Sequence, residues 1–164
     1  TEIKDTVNLR KTRPFTINDS EYYMPKKSVF NITSGDSRLE LDFSAYLDRC
    51  DDVLSHGKNY FAVNFKLEYQ NADGNISYYY PDFLVNLTPL SNKEELYVVE
   101  TKGREDLDVP LKMNRLKQWC KDVNEIPNAK QIWNFLYVPQ DDFENYIDSL
   151  KSFRDLAKIC KEYQ

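Results

Sequence analysis

Long apolar runs are missing from this sequence. No uninterrupted stretch approaches the roughly 18 residues of a membrane span, and the opening TEIKDTVNLRKTRP lacks the apolar core of a secretory signal. The chain therefore reads as soluble and cytoplasmic, with no membrane partner. Glycine is scarce, at four of 164 residues, and proline stands at seven, which excludes collagen-like and low-complexity classes. The three cysteines, Cys50, Cys120 and Cys160, are widely spaced with no CxxC pair. They do not fit a structural zinc site and suit a reducing compartment, as small buried hydrophobes. A single histidine, His56, stands beside Gly57. Catalysis through Ser-His-Asp or Cys-His would have to pass through that one position, where a turn residue is expected. His56-Gly57-Lys58 also lacks the upstream glycines of a phosphate loop, so no nucleotide site is expected in this chain. No helix-turn-helix, zinc-finger or RNA-binding aromatic signature appears.

Positive charge is also short, with a net charge of -5 at pH 7, which argues against nucleic-acid binding by overall basicity. The distribution is uneven. Residues 61–100 hold two basic and six acidic side chains, whereas 101–130 hold seven and five. A carboxylate-rich middle beside a basic stretch is the pattern of a cation site next to a phosphate path, but on composition alone a mixed solvated surface is the more common source of it.

Hydrophobic residues make up 41% and charged residues 30%, enough for one folded domain of this length. Residues 1–35 read as an irregular extension packed on the core, interrupted by Pro14 and Pro25, with a short strand at 28–33. Ser37 and Glu40 have the spacing of a capping box, followed by Leu39, Phe43, Tyr46 and Leu47 at helical period. From Tyr60 the period changes to two: Phe61, Val63, Phe65, Leu67 and Tyr69 predict a long strand. The turn residues 71–75 (NADGN) lead to a second strand over 76–87, and a third follows over 96–101 (LYVVET). Asp108 is a candidate N-cap, with Pro110 in the first turn and Met113, Leu116, Cys120 and Val123 on one helical face. A buried strand at 132–138 and a last amphipathic helix carrying Phe143, Tyr146, Ile147, Leu150 and Phe153 complete the chain. Helix, three-stranded antiparallel meander, helix, strand and helix predict an α/β fold.

Chemistry concentrates at two strand ends. Pro81-Asp82 lies on the second strand, and Glu100-Thr101-Lys102 ends the third, eighteen residues on. Positions i and i+2 of a strand share a face, so Glu100 and Lys102 project together while Asp82 approaches from the neighbouring strand. Two carboxylates joined by a backbone carbonyl offer hard oxygen ligands suited to Mg²⁺. A lysine beside them positions a water and neutralises charge developing on a phosphate. Charged residues ending a buried Val-Val strand beside a glycine point to a site rather than to a surface ion pair. The run Tyr78-Tyr79-Tyr80 reads as ordinary sheet packing ahead of base stacking, because alternation buries either the middle ring or the outer two.

Pro81-Asp82, Glu100 and Lys102 resemble the PD-(D/E)XK nuclease signature. The longer segments YYPDFLV (79–85), VVETKG (98–103) and DVPLK (108–112), with Trp119-Cys120 downstream, resemble the C-terminal endonuclease domain of type III restriction enzyme Res subunits. The resemblance covers roughly residues 28–138. It implies a restriction-endonuclease-like core, with 36–164 as the nuclease domain, and a Mg²⁺-dependent endodeoxyribonuclease in which Mn²⁺ can substitute. It assigns metal binding to Asp82, Glu100 and the Thr101 carbonyl, water activation to Lys102, and a further acidic role to Glu40, with Asp42 the weaker choice. Lys112 and Arg104 would meet substrate phosphates. The implied partners are double-stranded DNA, an ATP-dependent helicase-type motor in the same full-length chain and a modification methyltransferase subunit. The chain opens on Thr1 rather than methionine, as expected of a piece of such a longer polypeptide. Two readings stay open beside this one: a catalytically silent DNA-binding or docking module, and a stand-alone repair or junction-resolving nuclease.

Overall fold

In the computed structural model the described residues are 2, 4, 6–35, 37–104 and 106–164; Thr1, with which the chain opens, lies outside them, as do Ile3, Asp5, Asp36 and Glu105. Their centre is a four-stranded sheet in the order β3 (Val53–Lys58), β6 (Phe83–Leu87), β7 (Glu94–Lys102) and β8 (Gln131–Pro139). The first three pair antiparallel, and β8 lies parallel to β7. Helix α1 (Arg38–Arg49) precedes the sheet, and α2 (Val109–Asn124) makes the long connection that parallel pairing of β7 and β8 requires. Two-stranded pieces lie outside it: β1 (Tyr22–Tyr23) with β2 (Thr33–Ser34), and the hairpin β4 (Leu67–Gln70) with β5 (Ile76–Tyr79). Two short helices, α3 (Gln140–Tyr146) and α4 (Phe153–Ile159), end the chain. The fold is mixed α/β.

Alternation along the strands splits the apolar residues between two layers. Phe83, Val85, Leu87, Val99, Leu136 and Val138 pack with Leu39, Phe43, Tyr46 and Leu47 of α1 and with Phe143, Phe153 and Leu156 of the last helices. Leu84, Val98 and Tyr137 face the other way, onto Val109, Met113, Leu116 and Cys120 of α2 and onto Leu67, Tyr69 and Tyr79 of the hairpin. Phe43 has no exposed surface and meets Phe83 and Phe143 edge-on. Truncating it to alanine removes about 3–5 kcal/mol. All three cysteines are buried and free. No helix among the described residues is long and apolar enough to cross a membrane.

Several local expectations fail here. The first strand of the central sheet is β3, not the Tyr60–Tyr69 stretch, of which residues 61–63 form a turn and only the end is strand. The predicted 76–87 strand is broken at Tyr80–Asp82 into β5 and β6, because proline supplies no ladder donor. The 28–33 strand is reduced to a single bridge from Ser28 to His56 and the two-residue β2. The last helix is two helices, separated by residues 147–152.

His56 is not a turn residue. It lies in β3, 2% exposed, with Nε2 2.9 Å from Asp48 Oδ1. Asp48 also accepts hydrogen bonds from the Tyr23 hydroxyl and from the Lys26 and Lys27 amides. Burial pushes the Asp48 carboxyl up, but these donors outweigh it and hold the group below its ordinary value. Burial lowers His56 and favours its neutral form. The neighbouring Gly57 admits the N-terminal segment closely: a Cβ there would meet Leu9 Cδ2 at 2.8 Å and Val29 Cγ2 at 3.0 Å.

Candidate active site

The break before β6 determines where Asp82 sits. The Asn59 side chain donates to the Pro81 and Phe65 carbonyls, at 2.9 and 2.8 Å, and the Asn59 amide donates to the Asp82 carbonyl at 2.7 Å. The Asp82 amide donates to the Val99 carbonyl at 3.0 Å. Since Phe83 faces Val99 in the antiparallel register, Asp82 falls one step further, beside Glu100. Its Oδ2 accepts two bonds from Thr101, 2.7 Å from the amide and 2.8 Å from the hydroxyl.

Glu100 is 6% exposed, and its Oε2 accepts the Tyr79 hydroxyl at 2.9 Å. Burial, and then the charge of Asp82, push the Glu100 carboxyl well above the carboxylate range, against the pull of the Tyr79 hydroxyl, Lys102 and Lys112. Asp82 is pushed up to about 6, by burial first and by the Glu40 carboxylate second, against the Thr101 bonds and the charge of Lys58. The site therefore gathers acidic groups whose charged forms are costly to keep together.

Glu40 does not form the expected capping box. Ser37 precedes α1 with an extended backbone, but its side chain makes no cap bond. Glu40 Oε2 instead meets Lys58 Nζ at 2.7 Å, with both side chains 13% exposed, and that ammonium also donates to the Ser34 carbonyl at 2.8 Å. A half-buried ammonium offers a charge-assisted bond, stronger than a neutral backbone N–H. Asp42, the weaker candidate, pairs with Arg38 at the surface. Asp108 is the N-cap residue of α2, as expected, and its carbonyl accepts the Lys112 amide at 2.9 Å, but its side chain makes no cap bond. Its carboxylate accepts from the Tyr69 hydroxyl and the Ala72 amide, tying the β4–β5 hairpin to the helix start.

The basic candidates are spread out. Lys102 Nζ pairs with Asp106 Oδ2 at 3.1 Å and is 24% exposed at its side chain. Lys112 lies with its ammonium 6.0 Å from the Tyr69 ring centre, close enough for its charge to favour ionised Glu100. Arg104 is exposed in the turn after β7. The structure thus brings Asp82, Glu100, Thr101 and Glu40 into one electrostatic group, with Lys102 and Lys112 at its edge and Arg104 outside it.

Sequence reasoning missed Lys58, Tyr79 as a donor and Asn59. Lys58 left no signal, because VLSHGK (53–58) has neither alternation nor turn spacing. Tyr79 left no signal of its own either, because alternation in the tyrosine run could bury its middle ring or its outer two.

Among the described residues no group of three or more His, Cys, Asp or Glu side chains has the closeness of a metal cluster. Asp82 and Glu100 nevertheless suit a divalent cation chemically. Both are hard oxygen donors with raised carboxyls, and among the described residues neither is in an ion pair: Lys58 is held by Glu40 and Lys102 by Asp106. Comparison with protein-family models, curated proteins and solved structures returns no match for this chain.

Proposed function

We propose that this chain is a Mg²⁺-dependent nuclease domain that hydrolyses DNA phosphodiester bonds, of the PD-(D/E)XK type. The observation that carries the reading is the placement of Asp82 and Glu100 side by side across β6 and β7, both with raised carboxyls, and with Lys102 at the end of the same strand. The order of α1, three antiparallel strands, α2 and a parallel fourth strand also supports it.

Asp82 and Glu100 would hold the cation, with the Thr101 carbonyl and Glu40 as further oxygen donors. When bound, the cation supplies positive charge that polarises the phosphate and favours loss of a proton from the attacking water. Thr101 fixes the Asp82 carboxylate through two bonds, and Tyr79 fixes that of Glu100 through one. Lys102 orients the water and offsets charge developing on the phosphate, while Asp106 holds its ammonium at the strand end. Lys112 and Arg104 meet flanking phosphates. The reading extends to a cytoplasmic type III restriction enzyme, with a helicase-type motor and a modification subunit as partners.

The test is nicking of supercoiled plasmid in Mg²⁺, Mn²⁺, Ca²⁺ and EDTA, by wild type and Lys102→Ala. Cleavage in Mg²⁺ and Mn²⁺ alone, reduced by orders of magnitude in the variant, is expected. Metal-independent cleavage would remove the metal assignment, and no cleavage would favour a silent DNA-binding module.

A further inference from the structure

The three consecutive tyrosines divide as strand alternation allows. Tyr79 points inward and is 2% exposed, while Tyr78 is 54% exposed and Tyr80 is half-buried beside it. Phe61, on the turn after β3, is 80% exposed and meets Tyr80 edge-on with ring centres 4.9 Å apart. Lys66 lies between the two outer tyrosines, its ammonium 4.5 Å from the Tyr78 centre and 6.0 Å from that of Tyr80. Phe61, Tyr80, Lys66 and Tyr78 form one continuous strip of rings and cation on the surface.

This strip starts at the candidate active site. Tyr80 directly precedes Pro81-Asp82, and the Asn59 amide group clamps the Pro81 carbonyl to that of Phe65, so the Phe61 turn and the Asp82 entry are held as one piece. At its other end, Lys66 and Tyr78 border a cleft of about 780 Å³, lined also by Phe65, Trp119, Trp133 and Lys130. Trp119 meets Phe65 and Trp133 edge-on. Among the described residues neither Lys66 nor Lys130 is in an ion pair; of the acidic side chains that line the same cleft, Glu68 is matched by Lys4, Glu94 accepts from the Gln131 amide, and Glu2 stands near the Lys4 ammonium.

We infer that the Phe61–Tyr80–Lys66–Tyr78 strip is a stacking surface for the unpaired bases of a DNA strand, leading that strand from the cleft to Asp82. The inference deepens the proposed function and takes its substrate from it. The exposed Phe61 and Tyr78 rings offer stacking to any base, half-buried Tyr80 backs Phe61, and the ammonium groups of Lys66 and Lys130 match the strand's phosphates. Bases inside a duplex already stack on one another, so the strip distinguishes an unwound strand from a closed one. An acidic protein segment would use the lysines but would gain little from ring faces spaced along a path.

The test is fluorescence anisotropy in EDTA, where metal-dependent cleavage cannot occur. It uses a labelled single strand of about 12 nucleotides, an abasic strand of equal length and a duplex of the same sequence. The base-carrying strand should bind about tenfold more tightly than the abasic one and more tightly than the duplex. Phe61→Ala and Tyr78→Ala should each weaken only the base-carrying strand, by about fivefold or more, and Tyr78→Phe should bind as wild type. Lys66→Ala should weaken both strands and flatten the salt dependence. Equal binding of abasic and base-carrying strands, or wild-type binding by the Phe61→Ala/Tyr78→Ala double variant, would overturn the inference. So would no binding of any oligonucleotide, which would leave the strip to a protein partner. The nuclease reading fails separately: strand binding as expected with no plasmid nicking in Mg²⁺ keeps the strip and removes the hydrolysis.

Discussion

Lys58 holds Glu40: the ammonium on the last residue of β3 lies 2.7 Å from the carboxylate on the first turn of α1. With the Asp48–His56 contact, this bond is one of two side-chain bonds among the described residues that join α1 to β3, here at the end where Asp82 enters, and the Lys58 charge favours ionised Asp82 while Glu40 opposes it. Gly35 is packed against the same carboxylate, with Glu40 Oε2 only 2.9 Å from where a Cβ would stand.

Lys58→Ala leaves a half-buried carboxylate and the Ser34 carbonyl without their donor, and should cost about 2 kcal/mol. Glu40→Gln keeps an acceptor for Lys58 and should cost less than half of that. Thermal melts of both variants and of the double substitution measure the coupling, and additive losses would show that the pair contributes nothing. In nicking assays Glu40→Gln should raise the Mg²⁺ concentration needed. Wild-type Mg²⁺ dependence would reduce Glu40 to a structural role.

Because the Asp82 and Glu100 carboxyls are raised in the fold, the folded chain keeps protons that the unfolded chain has released. Their contribution to stability is complete below the ordinary carboxylate range, about pH 4, and is lost as pH rises through about 6 for Asp82 and further for Glu100. Asp82→Asn should therefore melt above wild type in EDTA, with a gap that widens from pH 4 to pH 7. A pH-independent gap would refute the coupling. Asp82→Ala and Glu100→Ala should both lose Mn²⁺ binding in calorimetry.

Tyr79→Phe removes a hydroxyl that favours charged Glu100, without changing ring volume. The Glu100 carboxyl should rise further, so the acidic limb of the cleavage profile should move to higher pH. Stability should fall by about 1 kcal/mol. An unmoved limb would mean that Glu100 ionisation does not govern the rate.

Asp48→Ala removes four hydrogen-bond acceptances at once, including the contact to Nε2 of buried His56. A loss of more than about 2 kcal/mol is expected. Hydrogen exchange should accelerate over residues 22–30, while Mn²⁺ affinity stays at the wild-type level. Unchanged exchange there would show that Asp48 does not tie this segment to α1.

Some of this was written locally. Leu39, Phe43, Tyr46 and Leu47 announced the buried face of α1, and Met113, Leu116 and Cys120 that of α2, since each repeats at the helical period on one element. The neighbourhood of Asp82 and Glu100 was legible for the same kind of reason: the turn residues between their strands make the pairing antiparallel, and period two puts Glu100 and Lys102 on one face.

What escaped was decided by distant partners. VLSHGK has no strand pattern, yet it forms β3 by pairing antiparallel with β6, and it is fixed further where Asp48 receives His56, the Lys27 carbonyl accepts the His56 amide and the His56 carbonyl receives that of Val29. Ser37 and Glu40 had capping spacing, but a lysine eighteen residues away made the stronger bond. The tyrosine run could take either face, and only its docking against α2 buried Tyr79 and left Tyr78 outside. Periodicity records which side of one element is apolar. The polar partners that decide the competing arrangements are neighbours only after the chain has folded, and a buried charge takes the strongest partner within reach, wherever that partner stands in the sequence.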